Sequence, residues 1–220
     1  MVSKHSLTGD IMNSTAFGSI LEKRKADIVT AVLRLVDRVG ITGLTTKRIA
    51  KEVGFVEGAL YKYVDSKIGI YHLILDSSAK SIKETGNEIT GRDLPPVEAL
   101  GAWFDFAVSF LEEYPGIYRI LFSDGLYAED RTLFNKFKDC SLDLKGRVRV
   151  VIEKGIASGD FRPDIEPETT AVMYLGLIHT TFTLWTVFEE RARSYKETAK
   201  PFFAEYLRSL RAPSREVTRG

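Results

Sequence analysis

LTTKRIAKEVGFVEGALYKYVDSKIGIYHLIL, Leu44 to Leu75, is the stretch whose reading decides the fold. Thr45 or Thr46 can cap a helix in which Ile49, Ala50 and Val53 share one face. Gly54 supplies a residue tolerant of positive φ where a tight turn must follow. A short helix, about Glu57 to Tyr63, then carries Leu60 and Val64 four residues apart as inward anchors. Glu57, Gly58, Tyr61 and Lys62 are left nearer the outside. Two short helices crossing at a small residue, here Ala50, form a helix-turn-helix over about Thr45 to Val64. In a motif of that kind the second helix is the one that projects into a DNA major groove. Any small helical hairpin shows part of this spacing, so the geometry alone leaves a plain structural hairpin as the alternative.

Working outward, Ile28, Ala31, Val32, Leu35, Val36 and Val39 recur at offsets of three and four. They predict an amphipathic helix over Lys25 to Val39, stopped by Gly40. Residues 1–22 lack periodicity and read as a flexible arm. Downstream, Asp65-Ser66 caps a longer helix through Ile68, Tyr71, Leu73, Ile74 and Leu75. GRDLPP, residues 91–96, reads as a link. Pro96 starts a helix that Pro115-Gly116 ends. Short helical segments are expected over Ile117 to Phe122 and Glu129 to Asp139, then another helix to Ala157 closed by Ser158-Gly159-Asp160. No strand-like alternation of useful length occurs. The fold class is all-α: a three-helix head, residues 23–70, and a larger helical body, residues 71–220.

Charge separates the same parts. The whole chain of 220 residues carries +1, but residues 23–67 hold ten Lys/Arg against five Asp/Glu, a net +5. A basic head on a mildly acidic body suits phosphate binding, with ordinary surface scatter as the alternative. Cys140 is the single cysteine, so no internal disulfide and no cysteine-based metal site is expected. The three His, at 5, 72 and 179, are widely spaced, and no HExxH, GxSxG, CxxC or phosphate-binding glycine loop occurs. The expectation is a protein without catalysis, metal or cofactor. The N-terminus lacks a signal pattern, which makes the cytoplasm the default location. Thr169 to Phe188 is uncharged over a bilayer-spanning length, but its six Thr, Gly176 and His179 favour a buried helix over a membrane span.

The run Leu44 to Leu75 resembles the signature of the TetR family of transcriptional regulators (TetR/AcrR-type). The resemblance lies in Thr45-Thr46 opening a helix, Ile49-Ala50, Val53-Gly54, Gly58, Leu60-Tyr61 and Ser66-Lys67. With the preceding helix it covers about the first third of the chain. GDFRPDIEP, Gly159 to Pro167, is similar to the link before the penultimate helix of many members. The resemblance implies a homodimer that binds a palindromic operator in double-stranded DNA. It also implies a body whose ligand alters the spacing of the heads; repressor is the favoured role. Carried over by position, Thr45, Thr46 and Lys47 sit at a helix start that meets phosphate. Glu57, Gly58 and Ala59 face base edges, and Val56, where a hydroxyl residue usually caps the recognition helix, belongs to the same DNA-binding set. Tyr61, Lys62 and Tyr63 reach phosphate or a base, and Lys67 binds phosphate. Packing against the first helix is the alternative for Tyr61, and a solvated helix start for Lys67. Val56, Glu57 and Ala59 depart from the family pattern, in which hydroxyl, basic or small polar residues are common. Glu57 repels phosphate yet can accept from cytosine N4.

The body is rich in aromatics. Trp103, Phe106, Phe110, Tyr118, Phe122, Phe137, Tyr174 and Phe182 are read either as core or as the lining of an apolar cavity. Tyr174, His179 and Thr183 are the polar groups that orient a small hydrophobic or aromatic effector in the second reading. The uncharged helix, about 167–191, and the last helix, about 196–211, are expected to pair with their symmetry mates. A helical protein-interaction module that kept the head without operator binding is the rival from another class.

Overall fold

The computed structural model describes residues 20–187 and 193–211. The chain orders as α1 (Ile20–Val39), α2 (Thr46–Val53), α3 (Glu57–Leu60), α4 (Lys67–Gly91) and α5 (Pro96–Glu113), then α6 (Gly116–Leu121), α7 (Asp124–Glu129), α8 (Arg131–Ser158), α9 (Pro167–Val187) and α10 (Tyr195–Leu210). The fold is all-α, as the sequence patterning requires. Among the described residues, extended pairing is confined to an isolated antiparallel bridge between Phe161 and Arg211. No helix among them is long and apolar enough to cross a membrane.

Two compact units contain these helices: residues 1–86 with 109–142, and residues 87–108 with 143–220. The expected head-to-body boundary after residue 70 lies inside the continuous helix α4. The expected arm, residues 1–22, lies outside the described residues except for its last three, which already belong to α1.

In the first unit, α1, α2 and α3 close over Ile28, Val32, Val36, Ile49 and Leu60, each fully buried. Burying one such side chain stabilises by about 1.5–3 kcal/mol, and their spacing explains why the three helices share one core. Of the six apolar positions read for α1, Val39 alone remains exposed. Gly40 adopts φ 69° and its N–H donates to Val36 O, ending the helix. Ser66 Oγ accepts from Gly69 N at 3.0 Å and opens α4. Gly116 begins α6 directly against α1, where a Cβ would lie 2.1 Å from Leu33 O. No other residue permits that approach.

In the second unit, α9 and α10 pack through hydroxyl-bearing aromatics. Tyr206 Oη donates to Thr170 O at 2.9 Å and Tyr195 Oη to Ile178 O at 2.9 Å. Phe104 stacks on Phe203 with centroids 4.2 Å apart. At the end of α8, Gly159 turns the chain at φ 81° and Phe161 folds back over Gly155.

Two element boundaries differ from the sequence reading. The segments expected over 129–139 and onward to Ala157 are one helix, α8, which Gly146 does not interrupt. Asp130 caps it by accepting from Thr132 N and Leu133 N, so the helix begins where a local cap exists and nothing later breaks it. The helix expected to reach Tyr63 is regular only to Leu60. The residues after it form a turn.

Candidate nucleic-acid interface

The helix-turn-helix is built as its sequence dictates. Thr45 is extended at φ −129°, and its side chain accepts from Arg48 N at 3.2 Å, capping α2. Gly54, in the left-handed region at φ 77°, donates to Ala50 O and Lys51 O and turns the chain toward α3. Ala50 is buried, and Phe55 N donates to its carbonyl at 2.7 Å. Val56 precedes α3 without any side-chain cap, as its missing hydroxyl demands. Leu60 and Val64 anchor α3 inward, and Arg38 pairs with Glu52 at 2.7 Å between α1 and α2. That exposed pair contributes at most about 1 kcal/mol.

The outward face then follows. Lys47 and Arg48 are exposed in the first turn of α2, and Glu57, Gly58, Tyr61 and Lys62 are exposed on or just after α3. Val56 is 77% exposed. An added Cβ at Gly58 would meet nothing within 4 Å, so its backbone is open to close approach. Ala59 is half-buried. Three expected contacts are already engaged within the chain. Thr46 Oγ1 donates to Glu57 Oε1 at 2.6 Å. Tyr63 stacks on Phe55 with centroids 5.5 Å apart, and Arg24 lies over that Phe55 ring. Lys67 Nζ donates to Ile41 O at 3.5 Å. Arg48, whose Nη1 also donates to Gly43 O, joins the basic edge although the motif does not single it out. Its place beside Lys47 in the first turn was the available signal.

The aromatic residues expected around a ligand fall in both compact units. In the first, Tyr118 packs on Phe122 at 4.5 Å, Phe122 on Phe137 at 5.9 Å, and Phe137 stacks on Tyr127 at 5.3 Å. Tyr118, Tyr127 and Phe137 are half-buried, and Phe122 is exposed. Phe110 packs on Tyr114. Among the described residues of this unit, the buried hydroxyls Tyr71 Oη and Thr85 Oγ1 have no hydrogen-bond partner. Burial, and secondarily the charge of Glu129, pushes the Tyr71 phenol up to about 12, so it remains a neutral donor. In the second unit, Trp103 packs on Phe106, and Phe182 on Trp185 and Tyr195. Tyr174 is fully buried and donates to Leu100 O at 3.1 Å, and burial raises its phenol well above the ordinary value. His179 is exposed, and Thr183 Oγ1 donates back to His179 O.

Residues 96–198 match the family described as the tetracyclin repressor-like C-terminal domain. A curated relative, the nucleoid occlusion factor SlmA of Vibrio campbellii, is 25% identical over 197 residues, covering 89% of this chain and 97% of its own. The corresponding factor of Marinobacter nauticus is 24% identical, covering 67% and 74%. Among solved structures, a TetR transcription regulator from Haloarcula marismortui shares the fold at TM-score 0.69 and 22% identity, covering 86% of this chain and 99% of its own. The ketosteroid transcriptional regulator KstR2 of Mycobacterium tuberculosis aligns at TM-score 0.70 and 16% identity, covering 90% and 97%. FadR of Bacillus subtilis, solved in complex with stearoyl-CoA, aligns at TM-score 0.69 and 17% identity, covering 84% and 98%.

Proposed function

We propose that this chain is a ligand-responsive transcriptional regulator of the TetR type, a reading supported by the family match over residues 96–198 and by the fold it shares with such regulators over most of its length. It acts in the cytoplasm as a homodimer on a palindromic operator, most simply as a repressor. The observation that carries this reading is the outward face of the helix-turn-helix. The first turn of α2 exposes Lys47 and Arg48, and the start of α3 exposes Val56, Glu57 and Gly58. Cations and backbone N–H groups at such a helix start position the protein on phosphate, while the start of the second helix reaches base edges.

The partner copy is argued from α9. Thr169, Val172, Met173, Gly176 and Thr180 are exposed at offsets of three and four, with Val172 at 52% and Met173 at 57%. Small and apolar residues on one helix face, with exposed Phe202 on α10, suit a self-complementary interface. The half-buried rings Tyr118 and Phe137 and the exposed ring Phe122 support an apolar effector in the first unit, with Tyr71 and Thr85 as polar groups still lacking partners. The stearoyl-CoA of one structural neighbour and the ketosteroid in the name of another are in keeping with a hydrophobic effector.

The name of the curated relatives supplies a second reading, nucleoid occlusion. Genome-wide occupancy combined with transcript levels in a deletion strain separates the two. Regulation predicts sites at promoters whose transcripts change on deletion. Dispersed sites with unchanged neighbouring transcripts would support the second reading and overturn the first.

A further inference from the structure

The contact between Thr46 and Glu57 joins the first residue of α2 to the first residue of α3. At 2.6 Å it has the length of a hydroxyl donating to a carboxylate. A hydroxyl has one hydrogen to give. While it is given to Glu57 Oε1, Thr46 does not donate it to a phosphate, and the basic groups of the same turn, Lys47 and Arg48, are left to hold the backbone. Glu57, an exposed side chain at the mouth of the motif, is held at one oxygen and keeps Oε2 as an acceptor. Val56, Gly58 and Ala59 beside it carry no hydrogen-bonding side chain, so within the stretch from Val56 to Ala59 base discrimination by hydrogen bonds falls to Glu57.

A carboxylate is acceptor-only. In the major groove it is repelled by guanine O6 and N7 and by thymine O4, and it pairs with an exocyclic amino group, cytosine N4 in the established pairing geometry. We propose that Glu57 is the specificity-determining residue of this regulator, selecting a cytosine at one fixed position in each half-site, and that Thr46 is the positioning residue that aims it. The proposal rests on the operator-binding reading above. It reassigns Thr46 from phosphate contact to orienting a base contact.

The test is selection of bound sites from random duplex DNA with the full-length protein and the variants Glu57→Gln, Thr46→Val and Thr46→Ser, each checked for an unchanged thermal midpoint. Wild-type protein is expected to select a cytosine at one position of each half-site by about tenfold or more over other bases. Glu57→Gln loses that preference while still binding, and gains adenine, whose N6 and N7 suit an amide. Thr46→Val keeps overall affinity within a few-fold and lowers the cytosine preference about tenfold, and Thr46→Ser restores it. A selected site without that cytosine, or one unaltered in Glu57→Gln, overturns this inference and leaves operator binding standing. A uniform loss of affinity in Thr46→Val with the preference intact returns Thr46 to phosphate contact. Selection of no sequence by the wild type overturns the operator-binding reading itself, and this inference with it.

Discussion

Lys67 has one ammonium and two kinds of acceptor competing for it. In the free chain it reaches back to Ile41 O, at the long end of hydrogen-bond range, so little is lost if a phosphate replaces that carbonyl. Lys67→Ala should therefore weaken binding to every duplex alike and lower the salt dependence by about one ion. Titration at several salt concentrations checks this, and an unchanged slope removes Lys67 from the interface. Asp130 makes a contrasting case, tied to stability. The Thr132 hydroxyl, then His72 Nε2 at 2.8 Å, then the N–H groups of Leu133 and Thr132 hold its carboxyl well below the usual carboxylate range. A depressed folded-state value means the stabilisation is fully present above the unfolded value, about 3.9, and is lost as pH falls below it. Asp130→Asn should lower the thermal midpoint at pH 7, with the gap to wild type closing as the solution is acidified past pH 4. A gap that stays constant down to pH 3 contradicts the assignment. The residue-scale features were unevenly legible. The Thr45 cap and the turn at Gly54 depend on neighbours within four residues, and the sequence displays them. The Thr46–Glu57 contact spans eleven residues and depends on how two helices cross, so the identities of the two side chains did not announce it.

Among the elements, α1, α2 and α4 were readable because each pairs a helical apolar period with a recognisable cap. The split expected within α8 came from weak periodicity around residue 140, where half-exposed positions blur the apolar face. The helix runs through because Asp130 caps its start and Gly146 alone cannot end it. The close of α8 depends on a contact with no sequence period: Phe161, fully buried, lies so near Gly155 that a Cβ there would sit 2.1 Å from its ring. Gly155→Ala should cost about 1–3 kcal/mol by overpacking, although alanine favours a helix over glycine. Denaturant unfolding reads the sign, and a stabilised variant would show that the Phe161 ring has room to move. Pro167 opens α9, and Glu166 accepts from Thr169 N and Glu168 N, which holds its carboxyl below the ordinary value. This explains why GDFRPDIEP is a sharp link between two helices.

At the scale of the whole molecule, α9 has a buried side and an exposed one. Tyr174, Ile178, Phe182 and Trp185 are buried within the second unit, while Val172 and Met173 stay exposed. The sequence signals an uncharged helix but not which of its sides is buried within the chain, because both faces are apolar and periodicity cannot rank them; the exposed side is the one proposed to meet a second copy. Placing a charge on the exposed face should separate the copies. Met173→Asp is expected to give a solution mass near 24.7 kDa, that of one chain, where the wild type gives twice that. A wild-type monomer would place the interface idea in error. The membership of the aromatic residues in two units was likewise invisible in the sequence, since composition shows how many rings exist and not which of them share a core.

The central claim is that the face running from Val56 to Ala59, set beside Lys47 and Arg48, reads DNA sequence. Selecting bound sites from random duplex DNA with the full-length protein tests it most directly. The account predicts enrichment of a palindrome whose two half-sites lie a whole number of helical turns apart, about 10–10.5 base pairs per turn. Binding that enriches no sequence, or a single half-site bound by one chain, would contradict it.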